Sequence, residues 1–470
     1  VGRNSLSANT TGTNNVALGT NALPANTTAN NNIAIGFDSL CVNQTGTKNV
    51  AMGTDTLRNS TGDCNTALGY LALDSNTSAG CNTAVGAGTM RSTTTQVENT
   101  AVGRNALNAN TGSCNTGVGT STLENVTASS NTAVGRRALY LNTTGTENVA
   151  VGSQALDANT TAGCNVGVGH GALSDNTTGS RNIAMGRNAL GSNTTADCNT
   201  AMGHSALVLN TTGANNVAVG TNSLNLNTTA ANNTAVGFET LKANTTGTPN
   251  VAVGNSALTA NTTAGNNVAV GNQALCKNTT GSTNSALGGN ALCANTTGTG
   301  NTAVGYDALL LNTTASSNTA VGLNAMRTNT TGTNNDAFGD SALVDNTTGN
   351  TNVALGRFSL GDNTTGCCNI SIGNSAMRKN TTGQQNVVIG RSAGQCSLTG
   401  DNNTAVGDQA LRFNTASNNV AIGCGALTDN TSGDQNTAAG GTALGDNTEG
   451  EYNAAFGYNA LRKNTTADNN

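Results

Sequence analysis

The chain has 470 residues, a formal net charge of −5, and only 9% charged and 2% aromatic residues, with no tryptophan. The near-balanced charge gives no basic stripe, and so few aromatic rings leave no platform for stacking bases, so we expect no nucleic-acid partner. No apolar run approaches the roughly 20 residues that a membrane-spanning helix needs, so we expect no membrane span. Low hydrophobicity with such a small net charge is not typical of a disordered chain, which implies that the polar residues are organised.

One repeat runs through the whole chain. Its consensus is N-[TV]-A-[VLIM]-G-x-x-A-L-x-x-N-T-T-G-x-x, in 28 copies whose central glycines run from Gly2 to Gly457. The step is 17 residues except for four steps of 16. Each loss falls between the recurring leucine and the N-T-T turn or within that turn, where a surface loop tolerates a deletion. Each copy is called a coil here, with its glycine as position 0.

The residues of each coil predict three elements in chain order. N-[TV]-A-V reads as a short strand ended by glycine, A-L begins a second strand, and N-T-T-G supplies an Asx-type turn. Asn, Gly, Thr and Val are poor helix formers, which argues against a helical array. Coils stacked about 4.8 Å apart would give a rod of roughly 130 Å. The sequence therefore predicts an all-β fold, a parallel β-solenoid of about 28 coils with 17 residues per coil, in which residues 1–470 form a single continuous array.

An asparagine stands four positions before the glycine in all 27 complete copies. A side-chain amide both donates and accepts, so stacked asparagines can form a ladder that satisfies buried polarity without charge. The alternative is that asparagine merely tolerates a turn conformation, but such a role would admit Asp, Gly or Ser in some copies. The predicted ladder is represented by Asn15, Asn32, Asn49, Asn65, Asn82, Asn99, Asn250 and Asn453.

The apolar content of one coil is small, which points to association. The free energy gained by burying the apolar groups of one coil hardly exceeds the entropy cost of ordering that coil, so stacking on neighbours is essential. Adjacent strand residues point to opposite faces, and the Ala and Val columns both exclude charge. One face is expected to line the interior and the other to meet a neighbouring subunit, approached closely because alanine is small. We therefore expect a parallel homo-oligomer, with a trimer as the favoured closed symmetry. End-to-end assembly is a further option.

The motif N-T-A-V-G-x-x-A-L, found at 131–139 and 301–309, is similar to the repeat of trimeric autotransporter adhesin heads. The unit ending in N-T-T-G also resembles repeats of phage and large-virus fibre proteins and of bacterial surface proteins. The resemblance covers the entire chain and implies a left-handed parallel β-roll that trimerises. The period of 17 is longer than in the adhesin family, with the N-T-T turn as the added part.

The sequence offers little for catalysis or for a bound cofactor. His170 and His204 follow the glycine at a variable position, where surface decoration is the better interpretation than a catalytic pair. The glycines never form a phosphate-binding G-x-x-x-x-G-K-[ST] loop. Calcium-binding β-rolls need columns of aspartate, whereas aspartate is sporadic in this chain. We expect no enzyme activity, no cofactor and no metal site.

Twelve cysteines raise the question of disulfides. Residues in one column of adjacent coils have Cα atoms about 4.8 Å apart, inside the range of about 4.4–6.8 Å found for disulfides. Cys64 with Cys81, and Cys276 with Cys293, meet that condition, while the other cysteines lie two or more coils from a column neighbour. Free thiols are the equally weighted alternative for both pairs.

Most turns also spell N-x-[ST], the acceptor sequence for N-glycosylation. The alternative, which we favour, is an Asx turn whose threonine hydroxyls bond nearby backbone. The possible glycosylation sites are Asn26, Asn142, Asn159, Asn176, Asn193, Asn210, Asn227, Asn244 and Asn261.

Taken together, these features predict a structural extracellular fibre shaft or adhesin stem at a cell or virus surface. Its first candidate partner is a further copy of itself, and a host surface or glycans are further candidates. Both ends stop within the pattern, so we expect the chain to be an uncapped segment of a longer fibre. The alternative is a binding module that presents Asn and Thr columns to a polysaccharide or to ice. Ice binding needs threonine on alternate strand positions, and the paired threonines are expected in a turn.

Overall fold

The computed structural model describes residues 1–397 and 399–470. Inter-residue contacts divide the chain into two compact units, Val1–Asn232 and Asn233–Asn470, each described by itself. Within the described residues both units contain strands and turns and no helix. This confirms the predicted all-β parallel solenoid with about 17 residues per turn.

Each coil contributes one short strand, formed by the [TV]-A-V segment. β-Branched residues favour the extended backbone there, and the following glycine ends the strand. In the first unit the strands are β1 Val16–Leu18, β2 Ile33–Ile35, β3 Val50–Met52, β4 Thr66–Leu68, β5 Thr83–Val85, β6 Thr100–Val102, β7 Thr116–Val118, β8 Thr132–Val134, β9 Val149–Val151, β10 Val166–Val168, β11 Ile183–Met185, β12 Thr200–Met202 and β13 Val217–Val219.

The second unit continues the same element with little change of length. Only β15 and β16 have four residues, and the others have three. The strands are β14 Thr234–Val236, β15 Asn250–Val253, β16 Asn267–Val270, β17 Ser285–Leu287, β18 Thr302–Val304, β19 Thr319–Val321, β20 Asp336–Phe338, β21 Val353–Leu355, β22 Ile370–Ile372, β23 Val387–Ile389, β24 Thr404–Val406, β25 Val420–Ile422, β26 Thr437–Ala439 and β27 Ala454–Phe456.

Successive strands of each unit pair in parallel and in register, so that like columns lie beside each other. Ala17 pairs with Ala34, one full repeat along the chain. The register survives a 16-residue step, because Ala51 still pairs with Ala67 across one of the short coils. The missing residue is therefore absorbed in the turn, as the sequence predicts.

The A-L segment is not the second strand that the sequence predicts. It forms a turn in which the leucine has a positive φ, for example 51° at Leu139. This conformation directs the N–H of Leu139 along the stack to the carbonyl oxygen of Ala155, at 3.0 Å. The leucine side chain is meanwhile completely buried. Axial hydrogen bonding and burial together outweigh the ordinary preference of leucine for negative φ.

The core of each coil consists of the strand alanine and of the A-L pair. Ala133, Ala138 and Leu139 have no exposed surface. In the three-residue strands the first and third residues point outward, and Val134 and Val151 are each 37% exposed. The expectation that alanine would face a neighbouring subunit is therefore wrong, because the small residue is the one that fits between the strand and the leucine inside the coil.

Candidate interaction surfaces

The asparagine four positions before each glycine forms a ladder inside each unit. The Oδ1 atom of Asn15 accepts the backbone N–H of Asn32 at 2.9 Å, and Nδ2 of Asn32 donates to the carbonyl oxygen of Gly46 at 2.8 Å. One bond joins successive coils and the other closes the coil itself. The remaining predicted members donate their backbone N–H in the same way, namely Asn49, Asn65, Asn82, Asn99, Asn250 and Asn453.

A second column, the asparagine of the N-T-T turn, forms the more direct amide-to-amide ladder. Nδ2 of Asn159 donates to Oδ1 of Asn142 at 2.8 Å and to the carbonyl oxygen of Ala162 at 3.0 Å. Both asparagines are completely buried. Sequence reasoning interpreted this column only as a turn, although its recurrence in nearly every coil was a signal that a ladder was present.

The possible glycosylation sites all belong to this turn column, and all nine have no exposed surface. In Asn176 the nitrogen that would carry a glycan donates to Oδ1 of Asn159 and to the carbonyl oxygen of Gly179. Both of its hydrogens are used. A glycan at such a site would require the turn to open and the ladder to break, so the geometry favours the turn interpretation of these residues.

The two threonines of the turn differ in their surroundings. Oγ1 of Thr143, the first, donates to the carbonyl oxygen of Thr160 in the next coil at 3.0 Å. Thr143 and the second threonine of the same turn, Thr144, are both exposed, but only the hydroxyl of Thr143 bonds the next coil. The first column thus stabilises the stack, and the second forms a polar outer edge.

The outward side chains of the strands form a nearly charge-free surface, which we call the outer face: the residues three positions and one position before each glycine. Asp336 is the one charged residue among these positions. The residue directly before the glycine is apolar in every copy, and several of these residues are well exposed, among them Met185 at 41% and Ile422 at 48%. A soluble protein seldom exposes an apolar patch larger than a few hundred Å², so the outer face is a candidate for contact with a partner.

The cysteines are free thiols in this structure. Cys64 and Cys81 are exposed, whereas Cys276 and Cys293 are half-buried, with Sγ of Cys276 3.4 Å from the carbonyl oxygen of Cys293. Hydrogen bonding between these two thiols lowers the pKa of Cys293 to about 7 and raises the pKa of Cys276. The two predicted disulfides stay predictions.

Charged residues decorate the surface and pair mainly between coils. Arg391 contacts Asp408 of the next coil at 3.0 Å, and hydrogen bonding to Arg391 lowers the pKa of the Asp408 carboxyl. Over residues 1–397 and 399–470, no group of three or more His, Cys, Asp or Glu side chains is arranged to hold a metal ion. In the same residues no helix is long and apolar enough to cross a membrane.

Comparison with known proteins supplies no relative on which to base a function. No protein-family model matches the chain, and no curated protein matches it. The surfaces of the solenoid are therefore the basis for assigning a function.

Proposed function

We propose that this protein is a structural fibre component, a shaft or adhesin stem, that acts outside the cell at a cell or virus surface. The observation that carries the proposal is the pair of asparagine ladders, which repeat along each unit with few departures. Because the coils within each unit are held to one another by nearly the same set of backbone and side-chain bonds, the array suits a stiff spacer better than a site for chemistry. The resemblance to adhesin and fibre repeats supports a location at the surface.

A neutral, hydrogen-bonded interior also suits such a location. The buried polar groups are mostly amides, which keep their hydrogen bonds at any ordinary pH, whereas buried carboxylates would gain protons in acid. The protein would thus keep its form in varied surroundings. A shaft needs neither cofactor nor catalytic group, and we propose no enzyme activity.

The outer face supports lateral association between copies of the chain. The column of residues directly before the glycine is apolar in every copy, so two copies can bury it without leaving charges unpaired. A parallel homo-oligomer would hide the surface along its length, and the trimer is favoured because the resembled adhesin heads are trimers. The contacting columns would be the outward Val and Thr residues.

The test is sedimentation of the purified chain together with negative-stain imaging. We expect elongated particles and an oligomer that dissociates in a variant with Val134→Lys, Val151→Lys and Val168→Lys on the outer face. The matched control carries three lysines in the turns of the same coils, at the exposed positions Thr144, Thr161 and Thr178, and is expected to remain an oligomer. Compact particles would rule out the fibre, and a monomeric wild-type chain would rule out lateral association.

One observation favours a second candidate, the binding of ice. Five consecutive strands, β4 to β8, place threonine outward at the first position, with Thr66, Thr83, Thr100, Thr116 and Thr132 in paired register. This is a regular array of hydroxyl and methyl groups on strand positions, which the sequence led us to expect only in turns. Measured thermal hysteresis that disappears when Thr83 and Thr100 are changed to lysine would support this candidate, and zero hysteresis would exclude it.

A further inference from the structure

A notch interrupts the surface of the first unit where one coil has very small side chains. In the coil of Gly86, the two residues after the glycine are Ala87 and Gly88, whereas the neighbouring coils carry larger residues there. The resulting cleft, which we call the Arg notch, is lined by Tyr70, Leu71, Ala87, Gly88, Arg91, Arg104, Asn105 and Asn108.

The backbone does not require glycine at this position. Gly88 has a φ of 67°, and Asn105 holds the equivalent position of the next coil with a φ of 59°. Asparagine tolerates this left-handed region better than most residues. Glycine is therefore not needed here to avoid backbone strain. The effect of the missing side chain is to open a space.

Two arginines give the Arg notch a positive character. Both Arg91 and Arg104 are exposed, and neither makes an ion pair within residues 1–397 and 399–470. The Asp74 carboxylate, which interacts weakly with Arg91, already lies 3.1 Å from Arg58. A guanidinium group binds carboxylate or sulfate through two parallel hydrogen bonds, so the notch favours a planar or tetrahedral oxyanion.

The rest of the lining suits a sugar ring. Tyr70 is 56% exposed and offers both an apolar ring and a hydroxyl. The side-chain oxygen of Asn108 is shielded from solvent and accepts no hydrogen bond from the described residues. A small rotation of this amide would let it accept from a ligand hydroxyl. Tyr70 and Arg104 lie two coils apart, roughly 10 Å along the stack, which is room for one pyranose.

We propose that the Arg notch binds an anionic sugar, a uronate or a sulfated hexose, within an acidic polysaccharide. The arginines would hold the anionic group, Tyr70 would contact the C–H face of the ring, and the asparagines would pair with its hydroxyls. The choice of a polysaccharide rests on the proposed surface role, whereas the recognition of an anionic pyranose rests on the notch alone.

The experiment is calorimetric titration of the full chain with three hexasaccharides: one containing glucuronate, one of the same length bearing sulfate, and a neutral glucose oligomer. We expect the wild-type chain to bind at least one charged oligosaccharide and to bind the neutral one at least tenfold more weakly. Binding of only the uronate or only the sulfated oligosaccharide identifies the source of the anion. Equal affinity for the neutral oligomer, or no binding of either charged one, would overturn the proposal.

Two variants locate the site. Gly88→Asn restores the residue common at this position and fills the notch; its new Cβ would lie 2.7 Å from Oδ1 of Asn105, a side-chain atom that can move. A second variant, Arg104→Gln, removes one guanidinium group. Each is expected to weaken binding of the charged oligosaccharide at least tenfold while leaving the circular dichroism spectrum unchanged. Retention of wild-type affinity by both variants would exclude the notch as the site.

The chain supplies a matched control in the coil of Gly169. Gly171 has a φ of 64° and is followed one coil later by Arg187 and Asn188, the same sequence of residue types as at the notch. His170 stands there in place of Ala87. Gly171→Asn and Arg187→Gln are therefore expected to change the affinity less than twofold. An equal loss in these controls would mean that the oligosaccharide responds to charge in general, which would also overturn the proposal. Sedimentation tests the fibre proposal separately, so a failure of the notch proposal and a failure of the fibre proposal can be distinguished.

Discussion

Asn159 donates a hydrogen bond from its side-chain amide to Oδ1 of Asn142, the equivalent residue of the preceding coil, at 2.8 Å. Both residues are completely buried. A buried amide without such a partner has lost its hydrogen bonds to water and gained none in the protein. This contact therefore makes the turn column essential to the stack.

Breaking the turn ladder should destabilise the coils around the break. Asn176→Ala removes the hydrogen bond that Nδ2 of Asn176 donates to Oδ1 of Asn159. The buried oxygen loses this partner, and the coils should be destabilised by about 1–3 kcal/mol. Repeat arrays do not unfold as one two-state unit, so the measurement is hydrogen exchange resolved by coil rather than a single melting temperature. We expect faster exchange within the coils of Gly152, Gly169 and Gly186.

The control for this variant is Thr178→Ala, at the exposed threonine of the same turn. Because the second threonine lies on the surface, its loss should change stability by less than about 0.5 kcal/mol. Unchanged exchange in Asn176→Ala, or equal effects in both variants, would show that the amide ladder contributes little.

The turn sequons are expected to remain unmodified in the folded protein. The nitrogen of Asn210 donates to Oδ1 of Asn193 and to the carbonyl oxygen of Gly213, and the residue has no exposed surface. After secretion from a cell that glycosylates proteins, the intact mass should match the bare sequence. A glycan recovered at Asn210 on a fully folded chain would contradict this burial.

The glycine that ends each strand should be intolerant of any side chain. Gly186 has a φ of 139°, and a Cβ there would lie 2.5 Å from the carbonyl oxygen of Gly203. Backbone atoms of the next coil cannot move aside cheaply, so Gly186→Ala should cost several kcal/mol, of the order seen for the most damaging single substitutions. Limited proteolysis should cut the variant within this coil.

Gly191 provides the comparison in the same coil. A Cβ at this residue has its nearest neighbour, the carbonyl oxygen of Asn188, at 3.3 Å, and φ is not in the left-handed region. The carbonyl oxygen need move by only a few tenths of an ångström, so Gly191→Ala should reduce the protease resistance much less than Gly186→Ala does. Similar sensitivity of the two variants would show that the close approach of glycines does not govern stacking.

Cys293 should be the most reactive of the half-buried thiols at neutral pH. Its pKa is lowered to about 7 by hydrogen bonding with Cys276, whereas burial raises the pKa of Cys41, which occupies the same column without a cysteine neighbour. Since the thiolate is the nucleophile, alkylation of Cys293 should rise as pH increases and reach half its maximum near 7, while Cys41 responds only at higher pH. Mass spectrometry of iodoacetamide-treated chain measures both rates.

Replacing Cys276 by alanine removes the hydrogen bond and should shift the alkylation profile of Cys293 to higher pH. Mild oxidation of the wild-type chain should join Cys276 to Cys293 and Cys64 to Cys81, and peptide mapping without reduction would recover these pairs. An alkylation profile of Cys293 that coincides with that of Cys41 would refute the coupling, and recovery of both pairs as free thiols after oxidation would refute the disulfides.

The repeat by itself determined the class of fold, the period and the register. Each column recurs at nearly every step, and only stacking in register lets like residues such as Ala17 and Ala34 pair. The asparagines four positions before the glycine were also predictable, because their column admits no other residue and a buried amide needs partners on both sides. Local turn and strand preferences were enough to place the N-T-T turn and the [TV]-A-V strand.

Only the tertiary structure decided which strand face lies inside. The alternation of side chains along the strand places Ala133 and Val134 on opposite faces, but both residues are apolar. The small volume between the strand and Leu139 selects the alanine for the interior. The left-handed leucine was equally unpredictable, since its conformation is set by an axial hydrogen bond to another coil. The Arg notch likewise depends on residues from three coils, such as Tyr70 and Arg104, that meet only when the coils stack.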